Sequence, residues 1–219
     1  MPTPKERLSH LLELAASGAG EHGALAGEVA DLLLDWPAQY PAPMRMTFEA
    51  LLEKIVREMA PETRAPLAAR FEGRAEFPLP LLNEFFLFAS PAMREAILAR
   101  NDAAGPAAPC DTDCAALLAA LRARRALAPE LAELTGVPAW VAEAAAGDVQ
   151  ALCVLARGAG INRATFSAIA ILAGPARAVA ENFQMLAAFD HVPENGARQL
   201  VQFWRTRGGA VPAAVEEAA

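Results

Sequence analysis

Four arginines fall at matching positions of two sequence segments that lie thirty residues apart. The matched positions are Arg64 with Arg94 and Arg70 with Arg100. A guanidinium offers forked donors that suit a carboxylate, so two stacked pairs would form columns able to receive an acidic segment of a partner protein. The alternative is that these arginines bridge to carboxylates of the chain itself, such as Glu62, Glu95 or Asp102, and tie the two segments together. Both interpretations stay open at this point.

Two cysteines, Cys110 and Cys114, are spaced by one helical turn, and Asp111 and Asp113 lie between them. A structural zinc ion normally takes four ligands, and no histidine lies nearby in the sequence. We therefore expect the start of a helix with two incidental thiols and no metal site. The glycines at 158 and 160 lack the preceding strand and the lysine of a phosphate-binding loop. No carboxylates are spaced as an acid and base pair, so we expect neither a catalytic residue nor a cofactor.

The segment 155–167 resembles the helix-turn-helix of repressor DNA-binding domains, with a turn around Gly160 followed by a polar helix start at Asn162 and Arg163. A recognition helix must present polar side chains to the major groove. Here the helix continues through residues 168–172, which are apolar on nearly every side, and this favours burial of the helix over 164–172. A regulatory DNA-binding module is therefore kept as the alternative function.

The composition predicts that helices position all of these residues. The chain has 53 alanines, a single tyrosine and few β-branched residues, and alanine is the strongest helix former. The clearest helix carries six apolar residues on one face: Phe48, Leu51, Leu52, Ile55, Val56 and Met59. An all-α fold follows.

The matching segments, residues 47–76 and 77–106, align without a gap. Each is predicted to hold a helix, a turn marked by proline, and a second helix that begins at proline. Such a hairpin cannot bury its apolar face alone, so the two units are expected to stack. The alignment places Leu51 and Leu52 with Leu81 and Leu82 in one core, together with the residues that follow one turn later. Residues 1–102 are accordingly predicted to form an N-terminal helical-repeat lobe, which begins with a short amphipathic helix in residues 1–22.

Residues 103–110 are small and proline-rich, and they are predicted to link this lobe to a second helical lobe over 111–207. In the second lobe, one helix is expected to begin at Asp111–Asp113 and run to about Leu127. Other helices should end at Gly136 and between Gly158 and Gly160, start at Pro138 and Asn162, and stop at Gly174. The last begins near Pro193 and buries Trp204, and residues 208–219 form a flexible tail.

The charge balance excludes some partners. The 19 basic and 26 acidic residues give a net charge of −7, so nucleic acid is not an expected partner. Residues 1–10 lack the apolar stretch of a signal peptide, and the longest apolar run, residues 164–176, is too short to span a bilayer. Three cysteines do not make a disulfide framework. We therefore expect a cytoplasmic protein without a membrane partner.

Three stretches carry a resemblance to a known family. They are residues 77–86 followed by 90–101, residues 147–166, and Phe203-Trp204-Arg205 near the end. In these stretches the chain resembles a bacterial family catalogued as domain of unknown function 2336. The resemblance implies a HEAT-like repeat architecture and implies no activity.

Together these features predict an all-α protein in which HEAT-like antiparallel helix hairpins stack in a short array beside a second helical lobe. The predicted function is that of a non-enzymatic adaptor or scaffold that binds another protein. Arg64, Arg94, Arg70 and Arg100 are its candidate partner-binding residues. The sequence leaves the partner and the oligomeric state open.

Overall fold

The computed structural model describes residues 22–110, 112–173 and 179–207, and within these ranges the chain forms helices and turns without any strand. The predicted all-α fold is confirmed for this part of the chain. The predicted helix in residues 1–22, the tail over 208–219 and the helix stop at Gly174 lie outside the described residues, as does Asp111 of the predicted helix start.

Twelve α-helices occur in the described residues, and the chain divides into two compact units, residues 1–93 and 94–219. The first unit contains α1 (His22–Leu34), α2 (Ala42–Glu58), α3 (Ala65–Arg70) and α4 (Leu79–Phe85). The division falls within α5 (Pro91–Ala103). The second unit contains α6 (Cys114–Arg122), α7 (Leu127–Thr135), α8 (Ala139–Gly147), α9 (Val149–Gly158), α10 (Arg163–Leu172), α11 (Val179–His191) and α12 (Glu194–Arg205). No helix in these ranges has both the length and the apolar character needed to cross a membrane.

The core of the first unit forms where α2 packs on α1 and α4. The apolar face of α2 buries Leu52, Ile55 and Val56, as its periodicity predicts. Phe71 stacks on Phe85 with ring centroids 5.3 Å apart and adds a large buried aromatic surface.

The two matching segments share a burial pattern. Leu52, Ile55 and Val56 are buried, and so are their counterparts thirty residues later. Leu51 differs, because it lies at the edge of the apolar face of α2 and is 38% exposed, so its predicted place in the core is wrong. The second helices also differ in length: α3 follows a single 3-10 turn at Pro61–Thr63 and is short, whereas α5 runs over Pro91–Ala103. The HEAT-like stacking stays a prediction.

Residues 103–110, the predicted linker, belong to the second unit, and the division between the units falls at 93 and 94 instead. Asn195 donates to the carbonyl oxygen of Gly105 at 2.8 Å and accepts from the backbone N–H of Ala107 at 2.7 Å. Gln199 on α12 donates to the same carbonyl of Gly105 at 3.0 Å, and Gln202 donates to the carbonyl of Ala108 at 3.1 Å. These bonds satisfy backbone groups that a flexible linker would leave to water, which is why this segment packs as part of a unit.

In the second unit, α9 is the central helix and packs on α8, α11 and α12. Two glycines allow close approach between helices: Gly158 between α9 and α12, and Gly196 between α12 and α5. A Cβ atom on Gly158 would lie 2.6 Å from the carbonyl carbon of Ala197, and one on Gly196 would lie 2.6 Å from the carbonyl oxygen of Leu98. Trp204 is buried on α12, as predicted.

Helix ends in the second unit follow local sequence signals. Asp113 caps α6 by accepting from the N–H groups of Ala115 and Ala116, and Asn162 caps α10 by accepting from Thr165 at 2.9 Å. Gly136 ends α7 in the left-handed conformation. The predicted single helix from 111 to 127 is wrong, because the chain breaks between α6 and α7 at Arg124, whose φ is 55°.

Candidate functional site

Arg64 is buried and ties elements of the first unit together. Its Nε and Nη2 atoms donate to the carbonyl oxygen of Met59 at 3.2 and 2.9 Å, and Nη2 also donates to the carbonyl of Arg57. Its Nη1 atom donates to a carboxylate oxygen of Glu84 on α4 at 3.2 Å. Because these carbonyls lie in the last turn of α2 and directly after it, Arg64 both caps that helix and joins it to α4.

Arg94 plays a corresponding part within the second unit. Its Nη1 atom donates to a carboxylate oxygen of Asp148 at 2.8 Å, and the other carboxylate oxygen accepts from the N–H of Ala151 at 2.9 Å and so caps α9. Burial alone would raise the pKa of Asp148, but the Ala151 hydrogen bond and the Arg94 guanidinium outweigh it and lower that pKa below its ordinary value. Asp148 is therefore an anion that links α5 to the start of α9.

The second matched pair is less enclosed. Arg70 is exposed and donates to the carbonyl of Gly27 at 3.0 Å and to the carboxylate of Asp31 at 2.8 Å, both on α1. Arg100 is half-buried on α5.

The arrangement favours internal ties for Arg64 and Arg94, since buried guanidinium groups do not face a partner. The carboxylates that serve them are Glu84 and Asp148, whereas the sequence suggested Glu62, Glu95 and Asp102. Arg64 lies in the first unit and Arg94 in the second, and the predicted columns stay a prediction.

Of the two cysteines, Cys110 forms a hydrogen bond with a distant arginine. The Cys110 sulfur accepts from Nη2 of Arg205 at 2.8 Å, and Nε of Arg205 donates to the carbonyl of Thr135 at 2.6 Å. Cys114 is the first residue of α6. Within the described residues, no group of three or more His, Cys, Asp or Glu side chains is placed to hold a metal ion.

The helix-turn-helix-like segment folds as α9, a turn through Gly160 and α10. Phe166 and Ile169 are buried, and Phe166 stacks on Phe189 of α11 with ring centroids 4.3 Å apart. Arg163 is exposed at the start of α10, where its Nε atom donates to both carboxylate oxygens of Asp190 at 2.9 and 3.0 Å. This pairing engages the Nε atom of a guanidinium that a DNA-reading helix would direct at bases.

The sequence predicted burial for α10 on nearly every side, and this is wrong at its carboxyl end. Helices α10 and α11 pack together and expose four large apolar side chains, which we call the outer face. These side chains are 50 to 71% exposed: Ile171, Leu172, Val179 and Phe183. The alanines at 164 and 180 are exposed on the same two helices. The physical reason is that α10 needs only one side, that of Phe166 and Ile169, to pack against its neighbours.

Helix α11 was not predicted from the sequence, so half of the outer face was missed. The signal was present but weak. Val179 and Phe183 share a side of the helix at i, i+4 spacing, and Met185 and Phe189 share another, so apolar residues occupy two sides instead of one stripe.

Comparisons of this chain with protein-family models, with curated proteins and with solved structures find no match. The resemblance to domain of unknown function 2336 therefore stays a prediction.

Proposed function

We propose that this protein is a non-enzymatic helical module that binds another protein, and that the outer face of α10 and α11 is its contact surface. The observation that carries the proposal is that most of the large exposed apolar side chains in the described residues lie on two helices that pack together. Among the described residues, seven large apolar side chains are exposed, and four of them form the outer face. Single exposed apolar residues are ordinary, but a contiguous patch marks an interaction site.

The chemistry of the outer face defines the kind of partner. Its four large side chains are uncharged and lie on two helices, whose exposed alanines at 164 and 180 add no bulk. The Arg163–Asp190 ion pair joins the two helices. A helix with one apolar stripe fits this surface, in the manner of helix recognition by apolar grooves.

The size of the outer face is compatible with a reversible complex. Its four side chains present on the order of 400 Å² of apolar surface, which is within the range of functional patches. At about 25 cal/mol per Å² this corresponds to a gross gain of roughly 10 kcal/mol. Association costs of comparable size offset most of this gain, so hydrogen bonds and further contacts must set the final affinity.

The test uses a photo-reactive amino acid at position 183 to trap the partner in cells, followed by purification of the trapped protein and measurement of its affinity. We expect Phe183→Ser and Ile171→Lys each to weaken binding at least tenfold, because the first removes an anchor and the second places a charge in an apolar contact. Met46→Ser is the matched control, since Met46 is 68% exposed and Phe183 is 67% exposed. Equal affinities for all three variants would refute the proposal.

The proposal includes HEAT-like stacking of the matching segments 47–76 and 77–106, and a cytoplasmic location. The shared burial pattern of the two segments supports the stacking. The thiols of Cys110, Cys114 and Cys153 form no disulfide, which is compatible with a reducing compartment. Fluorescence microscopy of the tagged protein in cells tests the location.

The DNA-binding alternative has less support. Apart from Arg163, the exposed positions of α10 carry alanine, isoleucine and leucine, which cannot form base-edge hydrogen bonds. Mobility-shift titrations at several salt concentrations would detect it, and sequence-specific binding that Arg163→Ala abolishes would favour DNA recognition over the proposed function.

A further inference from the structure

A cavity of about 300 Å³ opens within the second unit between α5, α9 and α11, beside the start of α12. Its size is at the lower end of the range for small-molecule sites. Since a water molecule occupies roughly 30 Å³, the cavity holds a ligand of roughly ten non-hydrogen atoms. It is separate from the outer face, because none of the four outer-face side chains lines it.

The wall of the cavity is mainly apolar. Leu98 of α5 and Val192, which precedes α12, contribute aliphatic surface, and Cys153 of α9 contributes a thiol. Cys153 donates a weak hydrogen bond to the carbonyl of Met185, with the sulfur and oxygen 3.7 Å apart. Burial, with a smaller effect from the negative charge of Asp148, raises the pKa of this thiol to about 12. The thiol is therefore neutral and forms part of an apolar wall, and it does not supply a nucleophile.

Three polar side chains also line the cavity: Glu95, Gln150 and His191. The Nδ1 atom of His191 lies 2.6 Å from the carbonyl oxygen of Ala187. Because a carbonyl oxygen only accepts, Nδ1 carries the proton, and Nε2 of the neutral ring is then a hydrogen-bond acceptor. Glu95 is exposed and contributes carboxylate oxygens, which also accept. The residues that line this cavity, all of them described, include no lysine or arginine.

We propose that this cavity binds a small primary amine with an apolar body. The ammonium group meets the carboxylate of Glu95 and the acceptors of Gln150 and His191, and the hydrocarbon part lies against Leu98, Val192 and Cys153. A carboxylate ligand of the same shape is excluded because it would meet Glu95 as a like charge and find no cationic donor. This site is independent of the protein-binding surface proposed above.

The experiment is a titration of the full chain followed by amide chemical shifts in nuclear magnetic resonance spectra. The ligands are 2-phenylethylamine, the neutral 2-phenylethanol and the anionic phenylacetate, at about pH 8, where the amine is charged. We expect shift changes centred on Gln150 and His191, with the amine binding at least tenfold more tightly than the alcohol and the acid not binding. Equal binding of all three ligands, or no change at these residues, would overturn the proposal.

Variants separate the cavity from its surroundings. Ala188→Leu fills the cavity from α11 and should abolish amine binding, whereas Ala187→Leu, at an exposed neighbouring position outside the lining, should not. Ala99→Leu fills the cavity from α5. Because Ala99 is exposed, this variant should fold, and it replaces Ala188→Leu as the cavity-filling variant if the latter does not fold. Glu95→Gln should remove the preference for the amine over the alcohol. Unchanged amine binding in a folded cavity-filling variant, or an unchanged preference in Glu95→Gln, would contradict the site.

Discussion

Replacing Arg64 by Ala should destabilise the first unit strongly, because the side chain is 5% exposed and has several buried acceptors. The change removes donors from the carbonyls of Arg57 and Met59, at the carboxyl end of α2, and from the carboxylate of Glu84. Breaking one partner of a buried ion pair costs about 3–5 kcal/mol. Arg57 keeps an Nε atom 3.9 Å from Glu84, so we expect a loss near the lower end of this range.

The assay is hydrogen exchange of the amides of α2 and α4, which reports the stability of the first unit by itself. Arg70→Ala is the matched control, because Arg70 occupies the same unit and pairs with Asp31 at the surface, where both side chains are substantially exposed. An exposed pair contributes less than about 1 kcal/mol. Equal losses for the two variants would refute the distinction between a buried tie and a surface pair. A partner-binding role for Arg64 would instead leave stability unchanged and weaken partner binding.

Three further predictions concern the second unit. Gly158→Ala adds a methyl group 2.6 Å from a carbonyl carbon of α12, so the free energy of unfolding should fall by about 2–3 kcal/mol in urea titrations. Gly147→Ala, at another helix end with open space around it, should have little effect, and equal values for the two would contradict close packing there. Ile169→Asp places a charge at a fully buried position and should abolish the thermal transition of this unit, whereas Ile171→Asp, at a 65% exposed position on the same helix, should leave that transition intact. Because the pKa of Asp148 is lower when folded than when unfolded, its contribution is complete above the unfolded value, near 3.8, and is lost as the pH falls through the folded value. Urea titrations between about pH 3 and 7 should therefore show a shallower acid loss for Asp148→Asn than for the original protein, and identical slopes would contradict this linkage.

The features that the sequence predicted correctly are those encoded over one or two helical turns. The apolar face of α2 repeats within 17 residues, and the caps at Asp113 and Asn162 act on N–H groups only two or three positions away. Gly136 similarly ends α7 by its own backbone conformation. Such signals act within a few residues, so the same local structure forms whatever the rest of the chain packs against.

The features that the sequence did not predict depend on contacts between distant residues. Glu84 lies 20 positions from Arg64, and Asp148 lies 54 positions from Arg94, so neighbouring carboxylates were the only candidates that spacing could suggest. The outer face was missed for the same reason, since its exposure depends on which side of α10 and α11 the second unit covers. Local periodicity cannot distinguish an apolar side that is buried from one that a partner covers.

Hydroxyl-radical footprinting of the protein with and without its trapped and purified partner measures the proposed contact surface most directly. Phe183 and Leu172 should be oxidised readily in the protein alone, since both are at least 50% exposed, and should lose most of this reactivity in the complex. Met46 should react equally in both samples, because it lies outside the outer face. A complex in which Phe183 and Leu172 remain as reactive as in the protein alone would contradict the assignment of the outer face as the protein-binding surface.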